Sequence, residues 1–137
     1  AIVAGCGLIG SCMAKSLVIQ GYDVKAVDID PCVSERLGEE FPGTVIIADA
    51  GDVDVLGQCS IQETQVLIAM TDNDNLNLMI GQIAKNEYQV PQVIVSVSSP
   101  ACFLCKTEPG LQVIHPVQAV CQTITGMINK TSMEEQP

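Results

Sequence analysis

The sequence predicts an α/β domain built on a mostly parallel, doubly wound six-stranded sheet with helices on both faces. Three observations carry this expectation. Short β-branched runs alternate with helix-length segments along the whole chain. The strand-sized runs are apolar throughout rather than at every second residue, as expected for strands covered on both faces. The first of them leads straight into Gly5-Cys6-Gly7-Leu8-Ile9-Gly10, a glycine triad between a strand and a helix.

Each element follows from local signals. Ile2 to Ala4 read as a short buried strand. Positions 8–20 read as a helix with Leu8, Ile9, Cys12, Met13, Leu17 and Val18 on one face and Gly21 as its C-terminal stop. Positions 24–29 form the second strand. Pro31 suits a helical first turn, and the helix over 33–40 ends at Pro42-Gly43. Positions 44–48 are a third strand. The acidic segment 49–54 starts a helix with Val53, Leu56 and Cys59 as its apolar positions, and 66–70 are the fourth strand. Asp72 or Asn73 caps the next helix, which runs to about Asn86 and buries Leu76, Met79, Ile80 and Ile83. A fifth strand covers 93–97, a Pro100-led helical turn follows, and Val113-Ile114 give a sixth strand. Val117, Val120, Cys121, Ile124, Met127 and Ile128 then make one stripe on a closing helix. One domain over 1–130 is expected, with 131–137 as a polar, frayed tail.

The composition narrows the function classes. The chain has 137 residues, 47% of them hydrophobic, which suits one packed domain. Its apolar runs are too short to span a bilayer, so no direct membrane insertion is expected, and no secretory signal is recognisable. The net charge is −10, and the few cations, Lys15, Lys25, Arg36, Lys85, Lys106 and Lys130, do not cluster. Such a surface repels nucleic acid and anionic lipid. Seven cysteines are an odd number, and Cys6, Cys12, Cys59 and Cys121 sit among apolar neighbours, as free thiols do in a reducing cytoplasm.

The triad points to the ligand. A glycine turn at a helix N-terminus presents backbone N–H groups to a phosphate: Gly5 permits the tight turn, Gly7 lets the backbone approach, and Gly10 allows close helix–strand packing. Asp28, eighteen positions past Gly10 at the end of the second strand, suits a ribose diol. Its charge opposes a 2′-phosphate, and no arginine follows it directly. Ile29 belongs to the same turn, and Asp30 either joins the ribose or caps the next helix. Asp49 and Ala50 end the third strand, where an adenine ring rests in a Rossmann-like site; Asp49 either accepts from the adenine amino group or caps a helix. Met70 and Thr71 end the fourth strand beside the triad, and Thr71 or Asn77 reaches toward a ligand.

In this order and spacing GxGxxG, VDIDP (27–31), ADAGDVDVL (48–56) and AMTDNDNLN (69–77) resemble the nucleotide-binding, N-terminal half of the potassium-conductance regulator (RCK/KTN) domain of Trk and Ktr uptake systems. The resemblance covers nearly the whole chain. It implies a cytoplasmic module that binds NAD(H) or an adenine nucleotide (ATP, ADP or AMP). It further implies a homodimer, a higher-order ring, and a membrane potassium channel or transporter subunit as the partner at the inner face of the cell membrane. The closing helix resembles the one that crosses to a partner subunit in that family. Two departures from the pattern stand out: Ser96 lies where many members carry arginine, and His115-Pro116-Val117 replaces a more usual Ser-Pro-Glu. The family's usual C-terminal ligand domain has no counterpart in these residues.

No catalytic residue and no metal site is expected. Cys102-Phe103-Leu104-Cys105 is a single CxxC, half of a zinc or redox motif, read as a helical turn carrying two small apolar residues. His115 is the lone histidine, with no substrate pocket expected beside it. The competing readings are the cofactor domain of an NAD-dependent oxidoreductase and a scaffold without ligand.

Overall fold

The computed structural model describes residues 1–100 and 109–134, with side chains described up to 130. Six strands, β1 (Ile2–Ala4), β2 (Lys25–Asp28), β3 (Thr44–Ile47), β4 (Val66–Ala69), β5 (Gln92–Ser96) and β6 (Leu111–Ile114), form one sheet in the order β3-β2-β1-β4-β5-β6. Every neighbouring pair is parallel. The chain reverses direction across the sheet between β1 and β4. At that switch point the strand ends diverge and leave a crevice.

Both faces of the sheet are apolar, as the continuous hydrophobic runs imply. Ile2, Ala4, Leu67 and Ala69 point to the face covered by α3 (Val53–Gln58) and α4 (Asp74–Asn86), together with Leu56, Ile80 and Ala84. Val3, Val66 and Ile68 point to the other, beneath α1 (Leu8–Ile19) and α2 (Val33–Leu37), with Ala14, Leu17, Val33 and Leu37.

Several expectations shift. The second helix stops at Leu37 rather than near residue 40, because Gly38 takes φ 89° and breaks the turn before Pro42 is reached. In α4 the sheet-facing line is Asn77, Ile80, Gly81 and Ala84, whereas Met79 lies exposed and Leu76 and Ile83 are half-buried. A Cβ at Gly81 would come 2.5 Å from a Val95 methyl, so small side chains, not large ones, bring this helix onto the sheet. Cys12 and Cys121 are exposed, unlike the buried Cys6 and Cys59.

The last helix, α5 (Pro116–Glu134), runs past the expected boundary at 130, since no glycine or proline interrupts 131–134. Its Val117, Val120 and Ile124 are more than half exposed. The turn expected after Pro100, with Cys102 and Cys105, lies outside the described residues. No helix among the described residues is long and apolar enough to cross a membrane.

Candidate functional site

A cleft of about 760 Å³ opens at the carboxyl ends of the strands, over the switch point. Its floor is the glycine turn. Gly5 adopts φ 86°, and a Cβ there would meet the Thr71 nitrogen at 2.5 Å, so backbone from β1 and β4 touches at this residue. A Cβ on Gly10 would run into the Gly5 carbonyl oxygen, which packs α1 tightly over β1. Gly7, by contrast, faces open space, with nothing within 4 Å of an added Cβ.

The start of α1 differs from those of α3 and α4. The α3 start is capped by Asp52, which accepts from the Asp54 N–H, and α4 by Asn73, which accepts from the Leu76 N–H. At α1, Gly7 stands at the cap position and no side chain closes the turn. Leu8, Ile9 and Gly10 therefore bring uncapped N–H groups and the positive end of a helix dipole to the cleft, which they line.

Across the cleft, Asp28 ends β2 with its side chain 14% exposed. Its Oδ2 accepts the Cys6 N–H at 2.7 Å and its Oδ1 the Asp30 N–H at 2.9 Å. Two oxygens offer about four acceptor positions, so lone pairs remain for hydroxyl donors. Arg36, eight residues on, reaches the same place from α2. Its Nε donates to the Cys6 carbonyl at 2.8 Å, its Nη1 to Asp30 Oδ2 at 2.6 Å, and its Nη2 lies 3.5 Å from Asp28 Oδ2. The Arg36 hydrogen bond, then the Cys32 N–H, hold the Asp30 carboxyl below the usual carboxylate range, and Asp30 in turn raises the guanidinium. Cys6 is buried beneath the turn, and burial followed by the charge of Asp28 pushes its thiol up to about 12.

The expected site residues fall into three groups. Gly5, Gly7, Leu8, Ile9 and Gly10 line the cleft on the triad side. Asp28, Ile29, Asp30, Asp49, Ala50, Met70 and Thr71 line it from the other strand ends. Ile29 is 71% exposed and offers an apolar plate beside Asp28. Asp49 turns one oxygen to the Gly51 N–H at 2.8 Å, while the helix cap is Asp52, so Asp49 is not the α3 cap. Asp30 caps locally, accepting the Cys32 N–H at 3.0 Å, and also grips Arg36.

Cys6 and Asn77 form the third group and stand apart from the cleft lining. Cys6 contributes its backbone, through Asp28 and Arg36. Asn77 is fully buried. Its Oδ1 accepts from the Thr71 N–H at 2.9 Å and the Thr71 hydroxyl at 2.6 Å, while its Nδ2 donates to the carbonyls of Thr71 and Ser96 at 3.0 and 2.9 Å. It ties the end of β4 to the end of β5 with every polar atom engaged.

Sequence reasoning did not single out Arg36, although a cation on the helix after Asp28 was the available signal. Ser96, Ser98 and Pro116 extend the cleft to the start of α5. Asp74 Oδ1 and Oδ2 fasten this end by accepting the N–H groups of Ser98 and Ser99 at 2.9 and 2.7 Å. His115 is not among the lining residues, and its Nδ1 donates to the Val97 carbonyl at 3.0 Å. No cluster of three or more metal-ligating side chains occurs among the described residues.

Comparison with known proteins points the same way. A family model for the TrkA-N domain matches residues 1–102. A Trk system potassium uptake protein TrkA from Streptomyces coelicolor is 31% identical over 99 residues, covering 72% of this chain and 44% of that protein. A TrkA homolog from Methanothermobacter thermautotrophicus is 29% identical, over 72% of this chain and 45% of its own length. The chain thus spans less than half of these curated relatives. Among solved structures, the NAD(P)-binding domain of an exopolyphosphatase-related protein from Archaeoglobus fulgidus superposes with a TM-score of 0.75 at 28% identity, covering 94% of this chain and 96% of that one. The TrkA-N domain of the inner membrane protein ybaL from Escherichia coli gives 0.80 at 16% identity, over 92% and 93% of the two chains, a likeness of fold.

Proposed function

The chain belongs to the TrkA-N domain family, and from that premise we propose that it is a regulatory nucleotide-binding module of a potassium uptake system. Residues 1–130 hold NAD(H) or an adenine nucleotide across the switch point. Phosphates rest on the uncapped amides of Leu8, Ile9 and Gly10 over the open face of Gly7. The adenosine ribose binds Asp28, and adenine lies between Ile29 and the Asp49-Ala50 turn. The rest of a dinucleotide runs past Met70 and Thr71. Asn77 holds that side in place from beneath.

One observation carries the reading: the uncapped α1 terminus, open above Gly7, lies beside a carboxylate joined to the same turn by the Cys6 N–H at 2.7 Å. Negative groups dominate the rest of the lining, where Asp28, Asp30, Asp49 and Asp72 outnumber Arg36. Phosphate binding therefore depends on backbone amides and the helix dipole.

The module works without turnover, as a sensor in which the lining carboxylates and Arg36 hold the ligand and the turn around it. Output passes through a second copy of the chain. Val117, Val120 and Ile124 fall on one side of α5 at helical spacing and are solvent-facing in the single chain, a surface that suits a homodimer, which a second interface would extend to a ring. The dimer acts at the inner face of the membrane on a potassium-transporting partner, by binding ligand more tightly in one subunit arrangement than in another.

The test has two parts. Calorimetry with NAD, NADH, ATP, ADP and AMP should give saturable binding to the wild-type chain and weakened binding to Asp28→Ala. Sedimentation should show a dimer that Ile124→Glu converts to monomer. Loss of neither property in these variants would overturn the assignments.

A further inference from the structure

Asp28 alone argues for a free ribose diol, yet the fold places a guanidinium beside it that the linear order of residues conceals. Arg36 Nη2 stands 3.5 Å from Asp28 Oδ2, one of the two oxygens open to a ribose diol. A phosphate carried on the ribose 2′-oxygen would lie within the guanidinium's reach, and arginine is the side chain that recognises such a group bidentately. Here the fork is already engaged, with Nη1 on Asp30 at 2.6 Å and Nε on the Cys6 carbonyl at 2.8 Å. Asp30 is itself held in place by accepting the Cys32 N–H.

We propose that Asp30 is the positioning residue that sets the choice between a 2′-hydroxyl and a 2′-phosphate, by holding the Arg36 guanidinium in an ion pair of its own. The proposal rests on the reading of the cleft as an adenine dinucleotide site. With Asp30 charged, Arg36 is neutralised and a 2′-phosphate meets the uncompensated charge of Asp28. With Asp30 neutral, Arg36 Nη1 loses its charged partner and turns to the phosphate, while Asp28 still opposes it. The preference for NAD over NADP should then narrow without reversing.

The experiment measures equilibrium binding of NAD and NADP to the wild-type chain, Asp30→Asn, Asp30→Ser, and Asp30→Asn combined with Arg36→Ala. Asn and Ser both retain an acceptor for the Cys32 N–H, so either serves if the other fails to fold. The wild-type chain is expected to prefer NAD by about tenfold or more, the cost of an unpaired charged group. Either single variant should narrow the ratio of the two dissociation constants by about tenfold, and adding Arg36→Ala should widen it again. A general loss of structure would weaken both ligands alike and leave the ratio in place. Variants that bind NAD with an unchanged ratio would overturn the role of Asp30 while leaving the site reading intact. A wild-type chain that binds neither dinucleotide would overturn both.

Discussion

The two halves of the cleft treat their polar groups in opposite ways. On the β1–α1–β2 side, the α1 amides are uncapped, Gly7 faces open space, and Asp28 keeps acceptor capacity beside an exposed Ile29. On the β4–α4–β5 side, Asn73 caps α4, Asp74 clasps the Ser98 and Ser99 N–H groups, and Asn77 saturates itself on Thr71 and Ser96. One half leaves hydrogen-bonding groups open to the cleft and the other turns them inward. Open and saturated polar groups are thus separated about the switch point, and backbone from both halves meets at Gly5.

Substitutions should divide along the same line. The largest effect is expected at Gly10→Ala, whose Cβ meets the fixed Gly5 carbonyl: about 3 kcal/mol or more of stability is lost in urea unfolding. Gly7→Ala, three residues earlier, meets nothing and should cost under about 1 kcal/mol, yet its methyl covers the phosphate position and should weaken nucleotide binding. Equal stability losses at the two glycines would break the comparison.

Next in size is Asn77→Ala. It strands the Thr71 N–H and the Ser96 carbonyl and should remove about 2–4 kcal/mol, with a smaller affinity change in the folded molecules than Asp28→Ala produces. A large affinity loss at Asn77 with full stability would place ligand contact on the wrong half.

Titration gives smaller effects. Arg36 holds Asp30 ionised below the usual range, so this pair adds stability above the ordinary carboxylate range and loses it as pH falls through the lowered value. Cys6 behaves in the opposite sense. Its thiol is pushed up to about 12, so between the ordinary thiol range and that value the unfolded chain ionises first and stability falls as pH rises. The smallest effect is one of reactivity. Brief alkylation at mildly alkaline pH, read by mass spectrometry, should modify Cys12 well before Cys6 or Cys59, and early labelling of Cys6 would mean that the turn opens.

The sequence made one half far more legible than the other. The triad and Asp28 were readable because their roles are fixed by backbone geometry within a single strand–turn–helix–strand unit. Arg36 was not, because the Cys6 carbonyl, Asp28 and Asp30 meet it only once α2 packs beside the glycine turn, with Cys6 thirty residues away in the chain. Asn77 was read as facing the ligand because it lies in a polar run. Its burial follows from the inward line it shares with Ile80, Gly81 and Ala84, where small residues replace the large ones that a hydrophobic count favours. The stripe on α5 was visible as a pattern, but a pattern does not specify what covers it, and a single chain leaves it exposed.

The most direct test is calorimetric titration of the wild-type chain and Asp28→Ala with NADH and ATP, alongside their thermal melts. The account predicts saturable binding to the wild type and about a tenfold to hundredfold weakening in the variant, from the loss of charge-assisted hydrogen bonds to the ribose. The variant should still melt cooperatively, having lost about 2–3 kcal/mol with the Cys6 and Asp30 N–H contacts. No binding to the wild type, or equal affinity in the variant, would contradict it.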